Sequence, residues 1–322
     1  MKDLRRIRLA HLPTPVEPLP RLTRHLGGPE LWIKRDDLTG LAFGGNKTRK
    51  LEFLCAAALD EGADLLITAG AVQSNHCRQT AAAAAKLGLN CILVLVGEPP
   101  AKRSANLLLD GLLGGEIRWA SPENRDAELQ RVADELRSQG HKPFLIPYGG
   151  SSALGAAAYS YAMDELLKQE FVPDWIVFAS SSGGTQAGIF AGARLNGFKG
   201  NILGISVDEG SEILRPRIAD LAGETLVLLG KKEIVSENDM QVNDHYLGAG
   251  YAAMGNSERE SIELFASFEG ILLDPVYSGR AAAGLIDLIR NNYFETTAKI
   301  LFWHTGGTPA LFADTYQKHL TS

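Results

Sequence analysis

Two lysines, Lys47 and Lys50, follow a pair of glycines in the stretch Gly44-Gly45-Asn46-Lys47-Thr48-Arg49-Lys50-Leu51-Glu52. Asn46 suits a helix N-cap, and Leu51, Leu54, Cys55 and Ala58 continue at helical spacing. Lys47 is therefore expected in the first turn of a helix, just past a flexible loop. There the positive end of the helix dipole disfavours its charge, and burial lowers its pKa further. A lysine held partly neutral attacks carbonyl carbons and forms Schiff bases. Lys50 falls on roughly the same face, where its cation can meet a phosphate. Taken alone, the stretch also fits two solvated surface lysines.

Other stretches carry related chemistry. Gly70-Ala71-Val72-Gln73-Ser74-Asn75-His76 closes an apolar strand and opens an alanine-rich helix. Ligands bind where strand C-termini face helix N-termini in α/β proteins. Ser74 and Asn75 can cap that helix, and they can also bind a carboxylate through hydroxyl, amide and backbone N–H groups. His76 reads either as a base or as a hydrogen-bonding residue. Ser180-Ser181-Ser182-Gly183-Gly184-Thr185-Gln186-Ala187-Gly188 has the same strand-turn-helix context. Its small residues allow close approach of the backbone, and free N–H groups beside hydroxyls suit a phosphate; a plain tight turn is the alternative. It matches neither the Gly-Lys-Ser/Thr phosphate loop nor the dinucleotide fingerprint. Asp274-Pro275-Val276-Tyr277-Ser278-Gly279-Arg280 and Trp303-His304-Thr305-Gly306-Gly307-Thr308-Pro309 place polar side chains at loops between apolar segments, as ordinary turns also do. Tyr251 reads as a site residue or as a packing tyrosine.

The elements that must position these residues alternate regularly. Apolar strands are expected at 64–69, 91–96, 116–119, 143–147, 175–180, 202–207 and 299–304, after an earlier strand at Leu31–Arg35. Helical patterns are expected at 46–61, 74–87, 104–113, 124–139, 154–168, 184–196, 257–268 and 279–292. Short, near-continuous apolar strands alternating with helices mean an α/β fold, with parallel sheets covered on both faces. The four strands from Asp64 to Pro147 are expected to form one lobe, with the flanking chain forming a second sheet. The opening arm with Pro13, Pro15, Pro18 and Pro20 reads as a surface-lying segment, and 230–256 as a cover over a site or an interface.

Composition narrows the classes. The 322 residues are 45% hydrophobic, which suits a globular enzyme of two lobes. A net charge of -6, a pI of about 5.7 and the lack of a basic block argue against nucleic acid as a main partner. The charged start Met1-Lys2-Asp3-Leu4-Arg5-Arg6 is no secretory signal, and no apolar run is long enough for a membrane span. Cys55, Cys77 and Cys91 are odd in number and lack metal-ligand spacing, so reduced thiols in a cytoplasmic protein, and no metal, are expected. Cys77 follows His76, but adjacent helical residues diverge by roughly 100°, so the two cannot act as a nucleophile pair.

Six motifs in order, from Lys34-Arg35-Asp36-Asp37 and the lysine stretch through Gln73-Ser74-Asn75-His76, Gly184-Thr185-Gln186-Ala187-Gly188 and Asp274-Pro275-Val276-Tyr277 to His304-Thr305-Gly306-Gly307, resemble the D-cysteine desulfhydrase and 1-aminocyclopropane-1-carboxylate deaminase family. These are pyridoxal-phosphate enzymes of the tryptophan-synthase-β fold type. The resemblance implies a homodimer with the cofactor between two lobes, a large one from 1–50 and 163–322 and a small one from 51–162. It matches Lys47 to the Schiff-base lysine, and Lys50 with Ser182, Gly183, Gly184 and Thr185 to the phosphate-binding groups. It matches Asn75 to the partner of the cofactor's phenolic oxygen and Ser74 to the serine beside the substrate carboxylate, next to His76. Tyr277 and Tyr251 match active-site tyrosines, with Tyr277, Ser74 and Lys47 in catalytic roles.

Two positions divide that family. The deaminase branch carries glutamate and leucine where this chain has Ser278 and Thr305, which is the desulfhydrase-like pattern. A glutamate keeps the pyridine nitrogen protonated and the ring a deep electron sink; a hydroxyl leaves a weaker one, sufficient when a good β-leaving group departs. The resemblance thus implies α,β-elimination on a small β-substituted amino acid: D-cysteine to pyruvate, hydrogen sulfide and ammonia. The alternatives are an L-cysteate sulfo-lyase, which needs further donors or a cation for its sulfonate, then the deaminase. From a different class, a non-catalytic phosphate- or amino-acid-binding protein would use Lys47 only as an anion contact.

Overall fold

The alternation resolves into two separate sheets in the computed structural model, which describes residues 1–320. The first elements are β1 (Val16–Pro18), α1 (Pro20–Leu26), β2 (Glu30–Arg35) and α2 (Asn46–Asp60). Then come β3 (Leu65–Ala71), α3 (Asn75–Leu87), β4 (Asn90–Val96), α4 (Ala105–Leu112), β5 (Gly115–Ala120), α5 (Arg125–Ser138) and β6 (Pro143–Leu145). The chain continues through α6 (Ala153–Leu167), β7 (Trp175–Ser180), α7 (Gly184–Asn196), β8 (Asn201–Ser206), α8 (Ser211–Leu228) and β9 (Gln241–Asn243). It ends in α9 (Asn256–Glu269), α10 (Ser278–Arg290), β10 (Lys299–His304) and α11 (Asp314–Leu320).

The four strands between Leu65 and Leu145 form one parallel sheet, in the order β5-β4-β3-β6. The other sheet has the order β1-β2-β10-β7-β8-β9 and is parallel except at β1. Parallel strands buried on both faces need apolar runs, and β3, β4 and β10 supply them: Leu66, Ile67, Leu93, Val94, Leu301 and Phe302 are fully buried. In register, Trp303 and His304 of β10 lie beside Lys34 and Arg35 of β2. The strand ends that carry site loops are therefore level with one another.

Three elements differ from their sequence reading. The proline-rich arm is not merely laid on the surface: it contributes edge strand β1, and Leu19 and Leu22 enter the core. Proline is tolerated there because an edge strand leaves some N–H groups unpaired. Helix α8 carries Pro216 inside it, which hid an 18-residue helix behind a residue that normally breaks one. The short strand β9 lies within 230–256, a stretch too polar to show periodicity.

Helix α2 is gripped on two sides. Leu51, Leu54, Cys55 and Ala58 pack with the small sheet and α3, while Phe53 stacks on Tyr161 of α6 at 5.1 Å. Arg49, on the α6 side, donates to Asp36 and Glu165 at 2.8–2.9 Å. Lys34 also reaches Glu165 at 2.6 Å, and Tyr159 donates to Asp36 at 2.6 Å. Burial pushes the Asp36 carboxyl up, but Arg49, Lys34 and Tyr159 outweigh it and hold the pKa below the usual range. This ionic cluster ties α2 to strand β2 and helix α6.

Candidate active site

Helices α2, α3 and α7 start around one cleft of about 670 Å³, facing the ends of β3, β7 and β10. Lys47, Ser74, Asn75, His76, Ser182, Gly183, Thr185, Tyr277 and Thr305 all line it. Residues from five widely separated stretches of the chain thus meet at the place where parallel α/β sheets receive ligands.

Lys47 sits in the first turn of α2, as its spacing predicts. Asn46 is not the cap. Gly45, at φ 121°, takes that position because an added Cβ would lie 2.6 Å from Gln79 Nε2 and 3.0 Å from the Thr305 carbonyl oxygen. Asn46 instead becomes the first helical residue, and its Nδ2 donates to Thr185 Oγ1 at 3.1 Å, bridging α2 and α7. Desolvation lowers the Lys47 pKa to about 8, with Lys50 acting in the opposite sense. Lys50 is fully buried, and burial followed by the nearby Lys47 charge pushes its pKa well down. No carboxylate offsets either amine among the described residues.

Opposite Lys50 is the turn into α7. Gly183, at φ 86°, caps a 13-residue helix without a side-chain bond, so its first N–H groups face outward. The Ser151 and Ser182 hydroxyls are 2.8 Å apart, and Lys50 Nζ donates to the Gly149 carbonyl at 3.1 Å. A side chain at Gly184 would lie 2.5 Å from Ser151 Oγ and 2.9 Å from Lys50 Nζ, so only glycine leaves this cradle open. A buried lysine without an acid partner, a helix N-terminus and the hydroxyls of Ser151 and Ser182 are groups suited to a phosphate dianion.

At the α3 turn, Ser74 is the N-cap and its Oγ accepts from Cys77 N at 3.1 Å. Capping and ligand binding are compatible, because the same hydroxyl still has a proton to donate. The Thr68 hydroxyl gives its proton to the Ile146 carbonyl at 2.9 Å, so His76 Nε2 is the donor to Thr68 at 2.9 Å. Burial and then the Lys47 and Lys50 charges push the His76 pKa well down, leaving a neutral ring with Nδ1 unpartnered. Cys77 is a buried thiol whose pKa is pushed well up, so it is inert.

Tyr277 reaches the cleft, and its hydroxyl is 2.6 Å from that of Tyr251, which stands behind it outside the lining. Thr305 lines the cleft, whereas Ser278 is buried outside it and donates to Asp274 Oδ1 at 2.6 Å. Asp274 also accepts from the N–H groups of Val276, Tyr277 and Ser278 at 2.7–3.0 Å, which shapes the loop that presents Tyr277.

The site also contains residues that sequence reasoning missed. Tyr148 and Gly149 line the cleft, and Ser151 borders the cradle. They belong to Pro147-Tyr148-Gly149-Gly150-Ser151-Ser152, a glycine-rich turn between β6 and α6 with the same strand-turn-helix signature as the two turns singled out.

Comparison with known proteins gives the family. The family described as pyridoxal-phosphate dependent enzyme matches residues 7–306. A D-cysteine desulfhydrase of Salmonella choleraesuis (strain SC-B67) is 44% identical over 325 residues, which cover 98% of this chain and 97% of that protein. The crystal structure of an ACC deaminase homologue superposes with a TM-score of 0.91 at 40% identity, covering 99% of this chain and 96% of that one. An L-serine ammonia-lyase from Rhizomucor miehei, at 17% identity and a TM-score of 0.70, shares the fold. This chain belongs to the family of pyridoxal-phosphate dependent enzymes, and that cofactor fits the uncompensated lysine pair and the phosphate cradle above.

Proposed function

We propose that the enzyme carries out α,β-elimination on D-cysteine, releasing hydrogen sulfide, pyruvate and ammonia. One observation carries the reading: Lys47 stands desolvated at the cleft, without a carboxylate partner and one helical turn from the cradle around Lys50. The 44% identical relatives bearing the desulfhydrase name support the choice of substrate.

In this reading Lys47 would hold the cofactor covalently, and Lys50, Ser182, Gly183, Gly184 and Thr185 would hold its phosphate. Asn75 would donate to the phenolic oxygen. Thr305 would be the hydroxyl available to the ring nitrogen, since the Ser278 hydroxyl is committed to Asp274. When bound, pyridoxal phosphate supplies a ring that spreads the negative charge left on the substrate's α-carbon. The Ser74 hydroxyl and the backbone N–H groups of Asn75 and His76 would receive the substrate carboxylate at the α3 N-terminus, where the helix dipole favours an anion. The neutral Lys47 amine would take the proton from the substrate's α-carbon, and the electron pair of that broken C–H bond would expel the β-sulfur as hydrosulfide. Tyr277, held by Tyr251, stands at the cleft to serve the departing sulfur. Hydrolysis of the released unsaturated amine gives pyruvate and ammonia.

Lys47 is the only cationic residue lining the cleft among the described residues, which disfavours the sulfonate of L-cysteate. Ser278 and Thr305, where the deaminase branch has glutamate and leucine, disfavour cyclopropane opening. The division into a large lobe (1–50 and 163–322) and a small one (51–162) belongs to the same proposal, supported by the two sheets. So does a homodimer, which exposed Leu108, Leu112 and Phe312 support. A cytoplasmic location is supported by three free, buried thiols. No helix among the described residues is long and apolar enough to cross a membrane.

The test offers D-cysteine, L-cysteine, L-cysteate and 1-aminocyclopropane-1-carboxylate to the holoenzyme and assays pyruvate, sulfide and sulfite. Pyruvate with sulfide from D-cysteine is expected. Sulfite from L-cysteate, or turnover of the cyclopropane alone, would overturn the assignment. A second expectation concerns pH. The Lys47 amine is nucleophilic only when neutral, so capture of added cofactor by the apoenzyme should speed up as pH rises through about 8 and then level off. Stopped-flow absorbance measures it, and a midpoint near the ordinary lysine value would contradict the desolvated amine.

A further inference from the structure

Behind the α3 turn lies a buried cluster with no part in the chemistry above. Arg78 is fully buried, and burial lowers its pKa to about 10 although Asp110 partly offsets the cost. Asp110 is itself buried, and neither of its oxygens has a hydrogen-bond partner. The guanidinium spends its protons elsewhere. Nη1 donates to Asn75 Oδ1 at 3.0 Å and to Asn106 Oδ1 at 2.6 Å, and Nη2 donates to the Gly44 carbonyl at 3.0 Å. Asn106 Nδ2 donates in turn to Asn75 Oδ1 and to the Gln73 carbonyl, both at 2.9 Å.

These contacts fix which way the Asn75 amide points. A guanidinium only donates, so the atom that Asn75 turns toward it must be the oxygen. With Arg78 and Asn106 both donating to it, Oδ1 is saturated, and the NH2 end is left for the cleft that Asn75 lines. The delivery of Asn106 is strained: Ala105 before it has φ 48°, a left-handed conformation that alanine rarely adopts. Gln73 pins the same junction from the loop side, accepting from the Asn106 N–H at 2.9 Å. Strain held in place by surrounding bonds is a mark of functional sites.

We propose that Arg78 and Asn106 are positioning residues that lock the Asn75 carboxamide as a fixed donor toward the cofactor's ring oxygen. This rests on the assignment of Asn75 made above. A donor on that oxygen draws charge from it and weakens its hold on the proton shared with the lysine nitrogen. Releasing the carboxamide, or flipping it so that its carbonyl faces the ring oxygen, raises the pH at which that proton leaves. It also weakens cofactor binding. Arg78, through Gly44, ties the same lock to the loop that sets Lys47.

Asn106→Asp is the discriminating variant. Its carboxylate still accepts from Arg78 but cannot donate to Asn75 Oδ1, and it repels that oxygen. The pH midpoint of the holoenzyme's visible absorbance is expected to rise by about one unit, a roughly tenfold change in the proton equilibrium, and cofactor retention is expected to fall. Asn106→Ala removes one of the two donors and should move both readouts in the same direction by less; it decides the matter if the aspartate variant fails to fold. A merely structural role would lower the melting temperature and leave the midpoint of the loaded enzyme at the wild-type value, and that result overturns the proposal. A wild-type protein that takes up no cofactor overturns the parent assignment and this inference with it.

Discussion

Lys47→Ala is expected to fold, to bind pyridoxal phosphate without the visible absorbance of the lysine-bound cofactor, and to lose turnover. Removal of a general base alone costs about 10²–10⁴-fold, and this variant loses the covalent attachment point as well. Folding should survive because the amine is desolvated and no carboxylate depends on it, so its loss leaves no orphaned charge. Circular dichroism, the visible spectrum and pyruvate release from D-cysteine measure the three properties on one sample. Turnover retained in a cofactor-loaded variant would reject the role of Lys47. So would a wild-type spectrum in the variant.

Arg49→Ala should act on stability. Arg49 is two residues from Lys47 but points to the opposite side of α2, into the cluster with Asp36 and Glu165. Asp36 is fully buried, and removing the cation beside it leaves a carboxylate without its main counter-charge. Breaking a buried ion pair from one side typically costs about 3–5 kcal/mol. Urea unfolding of the apoenzyme should show a loss of that order, and a loss below about 1 kcal/mol, the scale of an exposed pair, would show the cluster to be unimportant.

The pH dependence supplies a second signature. Asp36 has a folded-state pKa below its unfolded value, so it stabilises the fold above the ordinary carboxylate range. That stabilisation disappears as pH falls through the lower, folded value. Without Arg49, burial regains the upper hand and raises the folded pKa, so the acid-side loss of stability should shrink in the variant. Arg49→Lys restores the charge but not the forked geometry that reaches both Asp36 and Glu165, and should recover only part of the stability.

The separation between these two neighbours follows from helical geometry. Lys47 and Lys50 share a face, so the residue between them that meets Asp36 must leave by another. A single helix turn thus holds Lys47, Lys50 and the arginine that anchors α2 to Asp36 and Glu165. Asn106, by contrast, acts from a different helix and through Asn75, and its effects are expected on the cofactor's ionisation.

What the chain's order of residues determined was local. Strand and helix periods depend on near neighbours, so the α/β alternation, the start of α2 at the lysine stretch and the strand-to-helix turns after β3 and β7 were all legible. So was the displaced charge of Lys47, because helix position and burial follow from the same pattern. Helix α8 was not, since one interior proline outweighed its neighbours in a local reading. Tertiary structure alone decided the rest. It put Asn46 on Thr185 instead of on its own helix end, across 139 positions of sequence. It sent the Ser278 hydroxyl to Asp274 and left Thr305 at the cleft. It brought Tyr148 and Ser151 into the site, and set Arg78 and Asn106 behind Asn75. Each of these depends on where a side chain's hydrogen-bonding partners lie after two sheets have packed, and a buried polar group takes whichever partner the packing leaves within reach.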